Sequence, residues 1–329
     1  MPDSANLGQY EQVASQFLKI LRGGRSQRAI AKRLGYKGNP VTDWERGTRY
    51  PTAEEVLRLA RLLGADVPAA FTRFHVTPLR DKAGRTYDLA EWLDAVRGTI
   101  PAADLARRAG VSRFAMGRWL RGDAHPRLPD FFRVLDAATG RLHDWVACFV
   151  PVEEVPSLRR RYRAAEAARR AAYEAPWTEA VLRVLETPAY TALDRHDDEW
   201  VARRLGITLD EASASLHLLQ RAGAIRRRGA RYQIEEETFA VDTRGERDRV
   251  AGLLAHWAEV ARSRVPARGA EDLFAYNVCA VSRADQTRIR EILRGTYREV
   301  RSIVAASQPS ECVMLLNLHW VALDAPWAG

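Results

Sequence analysis

The feature that most constrains this chain is an internal repeat, in which residues return 75 positions later without a gap. Trp44 recurs as Trp119, and Pro51 recurs as Pro126. Further identical pairs are Leu18 with Leu93, Arg22 with Arg97, Gly23 with Gly98, Ala31 with Ala106, Arg33 with Arg108, Gly35 with Gly110, Arg46 with Arg121 and Gly47 with Gly122. Chance does not account for such agreement, so the chain begins with two copies of one module.

The first copy has the local signals of two short helices joined by a tight turn. Ser26 is a candidate N-cap for a helix that runs to about Leu34. Gly35 supplies the positive φ of the turn, and Pro40 suits the start of a second helix that ends at Gly47. This order is typical of a helix-turn-helix.

The first copy resembles the lambda-repressor/Cro (XRE) family of helix-turn-helix regulators over residues 10–70. The residues that carry the likeness are Ser26, Gln27, Gly35, Val41, Trp44, Glu45, Arg46, Gly47 and Pro51. The resemblance implies that Gln27 braces against phosphate and base edges. It also implies that Asn39 and Thr42 enter the major groove and read bases, whereas Lys37 and Arg46 contact phosphates.

The second copy departs from that pattern at several polar positions. Pro101 and Ala102 replace Ser26 and Gln27 of the first copy, and Leu120 replaces Glu45. Its turn is still regular, and we expect Ser112 to cap a recognition helix. DNA contacts are expected from Ser112, Arg113 and Arg118, with guanine or phosphate as the partner of the arginines. The alternative is a degenerate module that is kept for packing or dimerisation.

The charge distribution supports a polyanionic partner. The formal net charge is +9 and the pI is about 9.8. Residues 237–329 contain 12 Arg, no Lys and 12 Asp plus Glu, so the whole excess lies before them. Basic runs at 22–49 and 97–127 coincide with the repeat, and a third occupies 159–170. A solvated basic face is the alternative for any one run.

The middle of the chain predicts a helical connector and a third DNA-binding module. Residues 156–175 are rich in Ala and Arg and indicate a basic helix, either a spacer or a contact with the DNA backbone. Residues 176–240 indicate a winged helix, whose third helix opens with a Thr208–Glu211 capping box and precedes an arginine-rich hairpin that turns at Gly229. The residues predicted to contact DNA here are Gln220, Arg221, Arg227 and Arg228. Winged helices also serve as protein-protein modules, which is the alternative.

Residues 241–329 predict a small α/β domain for dimerisation or sensing. Strands are expected at 273–281 and 311–323, with a long helix between them and an amphipathic helix at 245–265. The aromatic residues Phe274, Tyr276 and Trp320 belong either to a core or to a pocket for a small-molecule or peptide effector. Dimerisation through this nearly neutral segment is an attractive hypothesis, because closed two-fold symmetry would pair the DNA-binding modules on DNA.

Residues 176–324 resemble a family of predicted bacterial transcription regulators whose C-terminal half is a domain of unknown function. The residues that carry the likeness are Trp177, Trp200, Val201, Ala202, Leu205, Leu218, Leu219, Ala222, Gly223 and the run from Val313 to Leu318. The resemblance implies a role in regulation and specifies no ligand.

The predicted fold is therefore mainly α and multidomain. It comprises two tandem helix-turn-helix modules, a winged helix and a small α/β C-terminal domain. The predicted boundaries are 1–78 and 79–155 for the two modules, 156–175 for the connector, 176–240 for the winged helix and 241–329 for the last domain.

Several function classes are not expected. The sequence has no P-loop, dinucleotide-binding glycine fingerprint, nucleophile elbow or zinc-histidine pair, so we expect no enzyme, cofactor or metal. Three widely spaced cysteines, no signal-peptide pattern and no apolar run long enough to span a bilayer favour the cytoplasm. The resulting hypothesis is a sequence-specific, homodimeric regulator of the repressor type that binds double-stranded DNA. The alternative is an interaction scaffold that keeps the fold without reading DNA.

Overall fold

The structure is a computed structural model that describes residues 7–74, 88–235 and 247–324. The chain divides into two compact units, residues 1–166 and 167–329. The mainly helical, multidomain fold that the sequence predicts is confirmed, and the only sheet in the described ranges has two strands. The predicted boundaries at 78/79 and 240/241 lie outside the described residues.

The first unit is helical throughout its described part, and its last helix continues into the second unit. The helices are α1 (Leu7–Arg22), α2 (Gln27–Arg33), α3 (Val41–Arg46), α4 (Ala53–Leu62), α5 (Val67–Phe74), α6 (Leu89–Arg97), α7 (Ala102–Ala109), α8 (Arg113–Leu120), α9 (Leu128–Thr139), α10 (Leu142–Ala147), a 3-10 turn (Val152–Glu154) and α11 (Pro156–Glu174). Helices α1–α5 and α6–α10 thus follow the same order in the two copies of the repeat.

The repeat extends to backbone conformation. Gly47 ends α3 at φ 77°, and its equivalent Gly122 follows α8 at φ 78°, a left-handed conformation that strongly favours glycine. A Cβ on Gly47 would approach Ser15 Oγ at 3.1 Å, and one on Gly122 would approach Ala90 Cβ at 3.8 Å. Ser15 and Ala90 are themselves 75 residues apart, so in each copy the first helix packs against the equivalent glycine.

The two copies share one aromatic core. Phe71 of α5 packs on Trp92 of α6 with 4.4 Å between ring centroids. Phe17 of α1 packs on Phe132 of α9 at 5.8 Å and on Trp145 of α10 at 5.9 Å. All five side chains are buried. Because each contact joins one copy to the other, neither copy encloses its own core alone.

The second unit begins with a small helical bundle and a hairpin. Its elements are α12 (Trp177–Leu185), α13 (Pro188–Thr191), α14 (Asp198–Leu205), α15 (Leu209–Arg221), β1 (Ile225–Arg228), β2 (Arg231–Ile234), α16 (Arg247–Arg264), a 3-10 turn (Val265–Ala267) and α17 (Arg283–Ala306). The antiparallel strands pair Ile225 with Ile234 and Arg228 with Arg231. Trp177 of α12 packs on Trp257 of α16 at 5.3 Å.

The predicted strands at 273–281 and 311–323 differ from the structure. Both segments are described, and neither is paired into a sheet. A strand needs a neighbouring strand for its backbone hydrogen bonds, and these two segments do not pair with each other. Tyr276 is 95% exposed and Phe274 is 42% exposed, so these two aromatic residues do not lie in a core, whereas Trp320 is half-buried.

Candidate nucleic-acid interface

Helices α2 and α3 follow one another across a connection at residues 34–40, in the order of a helix-turn-helix. Ser26 Oγ accepts a hydrogen bond from Ala29 N at 3.2 Å and so caps α2 as predicted. Val41 and Trp44 are 3% and 4% exposed, respectively, which fixes one face of α3 against the core. The opposite face of α3 is therefore turned outward.

The turn between α2 and α3 is held in place by contacts of Tyr36 with both α3 and α4. The Tyr36 ring meets Trp44 edge-on at 5.7 Å, and its hydroxyl donates to Glu55 of α4. Burial and this hydrogen bond raise the pKa of Tyr36 to about 12. Glu55 also accepts from Thr52 N at 2.7 Å and completes the capping box of α4. The position of the turn is therefore set from both sides.

Three of the residues predicted to contact DNA are joined in one chain of hydrogen bonds. Asn39 Nδ2 donates to Thr42 Oγ1 at 2.8 Å, and Thr42 Oγ1 donates to Gln27 Oε1 at 2.8 Å. Gln27 Nε2 then donates to Glu45 Oε2 at 2.7 Å. The family resemblance implies that all three residues contact DNA, and the structure brings their side chains together.

Glu45 anchors this chain, a role that the sequence reasoning did not assign. Its side chain is only 7% exposed and pairs with Arg22 of α1, whose Nη2 lies 3.1 Å from Oε2. A buried carboxylate needs such a partner, and the hydrogen bond raises the pKa of the Arg22 guanidinium. The available signal was the second copy, where Leu120 and Ala102 replace the glutamate and its glutamine together.

Asn39 has an unsatisfied acceptor in the free protein. Its Oδ1 is buried without a hydrogen-bond partner in the described part of the chain, although Nδ2 is satisfied by Thr42. A buried acceptor without a partner is costly, and the terminal torsion of asparagine turns easily.

The predicted phosphate-binding residues flank this face. Lys37 and Arg46 are exposed and have no ion pair within the described ranges. Other exposed basic residues between Gly23 and Tyr50 are Arg25, Arg28, Lys32, Arg33 and Arg49. The stretch of chain that contains α2 and α3 is therefore rich in exposed positive charge.

The second copy presents a different outer face. Ser112 Oγ accepts from Ala115 N at 3.1 Å and caps α8 as predicted. Arg113 and Arg118 are exposed, and Phe114 between them is 77% exposed. Phe114 stands at the position of Asn39 and Gly117 at that of Thr42, 75 residues on. An apolar and cationic surface thus replaces the amide and hydroxyl surface of the first copy.

In the second unit, the predicted residues lie on the exposed side of α15 and on the hairpin. Gln220 and Arg221 are exposed, and Gln220 Oε1 accepts from Tyr232 Oη at 3.1 Å. Arg227 lies 5.9 Å from the Tyr232 ring centroid. Arg228 is paired with Glu235 at 3.2 Å, so part of its charge is already neutralised.

A partly buried relay of hydrogen bonds holds the hairpin against the bundle, and the sequence reasoning missed it. Tyr190 Oη lies 3.0 Å from His196 Nδ1, and His196 Nε2 lies 2.7 Å from Asp198 Oδ1. Ser213 of α15 donates to the other oxygen of Asp198 at 2.5 Å, and Tyr232 N donates to Tyr190 Oη at 2.9 Å. Asp198, at the start of α14, thereby joins α14, α15 and the hairpin.

Metal sites and membrane-spanning helices are not found in the described part of the chain. Across residues 7–74, 88–235 and 247–324 there is no group of three His, Cys, Asp or Glu that could hold a metal ion. In the same ranges no helix combines the length and apolarity needed to cross a membrane.

Comparisons with known proteins give two family matches. Residues 14–71 match a family described as a helix-turn-helix domain. Residues 163–323 match a family described as a domain of unknown function, DUF4423. Neither curated proteins nor solved structures give a match. The first match contains α2, the turn and α3, and it confirms the helix-turn-helix domain predicted over residues 10–70.

Proposed function

We propose that this chain is a sequence-specific DNA-binding transcription regulator of the XRE type, acting in the cytoplasm without a catalytic activity or a cofactor. The observation that carries the proposal is the hydrogen-bonded face of Gln27, Thr42 and Asn39 on the helix-turn-helix domain. This face is fixed by Glu45 and lies in a stretch of chain rich in exposed positive charge. Such preorganisation lowers the cost of ordering side chains on binding.

The chemistry of the face divides into two roles. Asn39 and Thr42 carry the amide and hydroxyl groups that distinguish base edges in the major groove. Lys37 and Arg46 carry charges that suit phosphates, which set the register without reading sequence. Gln27, at the N-terminus of α2, is held by hydrogen bonds to Thr42 and Glu45. We expect it to brace against both phosphate and base edges.

A second DNA contact is proposed for residues 176–235, interpreted as a winged helix. Helices α12, α14 and α15 precede a hairpin that carries Arg226, Arg227, Arg228 and Arg231. The relay through His196 and Asp198 supports this role, because it holds the arginine-bearing hairpin beside the third helix. Arg227 and Arg221 are the residues expected to meet phosphate.

We further propose that the chain is a homodimer held together by residues 273–323. Most of the large apolar side chains that the structure leaves exposed lie in this range. Backbone groups in the two extended segments also lack strand partners. We assign this surface to a second copy rather than to an effector, because its exposed apolar side chains extend over both segments, and backbone groups without strand partners suit strand addition.

The regulator proposal is tested by selecting bound fragments from a genomic library with the purified full-length protein. We expect one enriched motif, bound at least 10³-fold more tightly than random DNA. Affinity should also fall steeply between 50 and 200 mM salt, roughly 10³-fold if about six phosphates are contacted. Binding without any enriched motif would contradict the proposal and favour an interaction scaffold.

The homodimer is tested by sedimentation velocity with the double variant Leu273→Arg and Met314→Arg. Both side chains are largely exposed, at 91% and 74%, so the folded chain tolerates the change. We expect a dimer for the wild type at micromolar concentration and a monomer for the variant. Leu62→Arg, at an exposed position in the first unit, is the matched control and should remain dimeric. A monomeric wild type, or a variant that still dimerises, would refute the assignment.

A further inference from the structure

The two copies of the repeat are joined by a reciprocal pair of backbone hydrogen bonds. Ala53 N donates to Pro126 O at 2.9 Å, and Leu128 N donates to Pro51 O at 2.9 Å. Pro51 and Pro126 are equivalent in the repeat, as are Ala53 and Leu128, each pair 75 residues apart. Exchanging the copies therefore turns each hydrogen bond into the other, which is the signature of a two-fold contact.

The aromatic contacts obey the same exchange. Phe71 of α5 packs on Trp92 of α6, and Trp145 of α10 packs on Phe17 of α1. Phe17 and Trp92 occupy equivalent positions, so the first helix of each copy contacts the last helix of the other. The buried pairing thus reproduces within one chain the arrangement of a symmetric dimer. Because the core is shared, the two copies are held at a fixed separation.

Short stretches of chain join the bridge between the two copies to the two outward-facing helices. The bridge joins Thr52 to Arg127, and α3 ends at Arg46, six residues before Thr52. Six residues span at most about 22 Å. Leu120, the last residue of α8, is seven residues from Arg127, a span of at most about 25 Å. These limits accommodate the separation of about 34 Å at which paired recognition helices enter successive major grooves.

The outward-facing surfaces of α3 and α8, here called the first and second heads, differ in chemistry. The first offers the amide and hydroxyl groups of Asn39 and Thr42. The second offers Arg113, Arg118 and the exposed ring of Phe114. Arginine recognises guanine through its paired acceptors, and an apolar ring suits the methyl group of thymine. Identical heads would read identical half-sites, whereas these heads require two unlike sequences.

We propose that one chain reads both halves of an operator through its N-terminal unit, which acts as a covalent pseudo-dimer. The half-sites are unlike in sequence, related by an approximate two-fold axis and about 10 base pairs apart from centre to centre. This inference rests on the proposed function. Association of two chains through residues 273–323 then links two operators, rather than completing one.

The test is a base-substitution scan of the selected operator with full-length wild type, Asn39→Ala, and the double variant Arg113→Ala with Phe114→Ala. We expect Asn39→Ala to abolish discrimination in one half-site only. The double variant should abolish it in the other half-site, about one helical turn away. Each loss should be roughly 5- to 150-fold for the preferred base. The altered side chains of the second head are exposed, so the core that joins the copies is unaffected.

The matched control is Arg107→Ala, which removes an exposed arginine of α7 that is paired with Asp104 at 3.0 Å. It should leave the base preference of both half-sites unchanged. The inference is overturned if the double variant keeps all base preferences. It is also overturned if Asn39→Ala weakens base preference at two symmetric positions of the operator while the double variant on α8 weakens it at none. The latter outcome would leave the regulator proposal intact, because each chain of a dimer would then supply one head. A protein without any sequence preference would instead refute the proposed function itself.

Discussion

Trp145→Ala is expected to lower the free energy of unfolding of the N-terminal unit by about 3–5 kcal/mol, the range found for large aromatic residues truncated in a core. Trp145 is 1% exposed. Its ring lies 4.7 Å from that of Phe149 and 5.1 Å from that of Phe131. The indole Nε1 is buried without a hydrogen-bond partner among the described residues. Truncation removes that cost as well, which places the expected loss near the lower end of the range.

The location of Trp145 means that the same variant also tests whether the two copies of the repeat unfold together. The residue belongs to the second copy, but it contacts Phe17 of the first. We therefore expect both copies to unfold in one transition, and DNA binding through α3 to be lost together with the second copy. Guanidinium denaturation followed by circular dichroism measures the change, with DNA affinity measured across the same transition.

Trp257→Ala is the matched control, because Trp257 lies in the second unit and packs on Trp177. Its truncation should leave unfolding of the N-terminal unit unchanged. If Trp145→Ala destabilised only the second copy and left binding by the first copy intact, the shared core would not couple the two modules.

The sequence was most informative where structure follows from local rules. Ser26, Ser112 and the Thr208–Glu211 pair all cap helices as predicted, because an N-cap is decided within four residues. The positive φ of Gly35 and Gly229 likewise follows from the turn that each must make. These signals gave the helix order of the repeat and the position of the hairpin.

Interactions between distant residues could not be predicted in the same way. Glu45 meets Gln27 and Arg22 only because α1, α2 and α3 converge, and the spacing of these residues does not reveal that convergence. The relay from Tyr190 to Asp198 depends in the same way on the return of the hairpin to the bundle. The residues at 273–281 have strand-forming character, but a strand also needs a partner, which sequence pattern alone cannot supply.

The shared core is a further case of this limit. The repeat predicted two similar modules, and each module considered alone has enough apolar residues for a core. Phe17, Phe71 and Trp92 nevertheless pack across the copies. Self-similarity in sequence shows that a unit is repeated, but it does not show whether the copies stand apart or pair.

Asn39→Ala and Lys37→Ala are expected to weaken DNA binding in different ways. Loss of the Asn39 amide removes a base-reading group, so affinity for the selected operator should fall by about 1–3 kcal/mol, roughly 5- to 150-fold. Affinity for random DNA should hardly change, because phosphate contacts are retained. Lys37→Ala removes one positive charge from the flank of the face. It should weaken operator and random DNA alike and lower the slope of log affinity against log salt by about 1.

The hydrogen bonds of Asn39 in the protein without DNA also predict how Asn39→Ala changes stability. Its amide donates to Thr42, but its Oδ1 is buried without a partner in the described part of the chain. Asn39→Ala removes that unsatisfied acceptor, so stability should be unchanged or slightly raised while specificity falls. Competition binding at several salt concentrations, together with thermal denaturation of the same samples, separates the two effects. A parallel loss of operator and random-DNA affinity in Asn39→Ala would show that this face supports binding without reading bases, because only a base contact discriminates between the two DNAs.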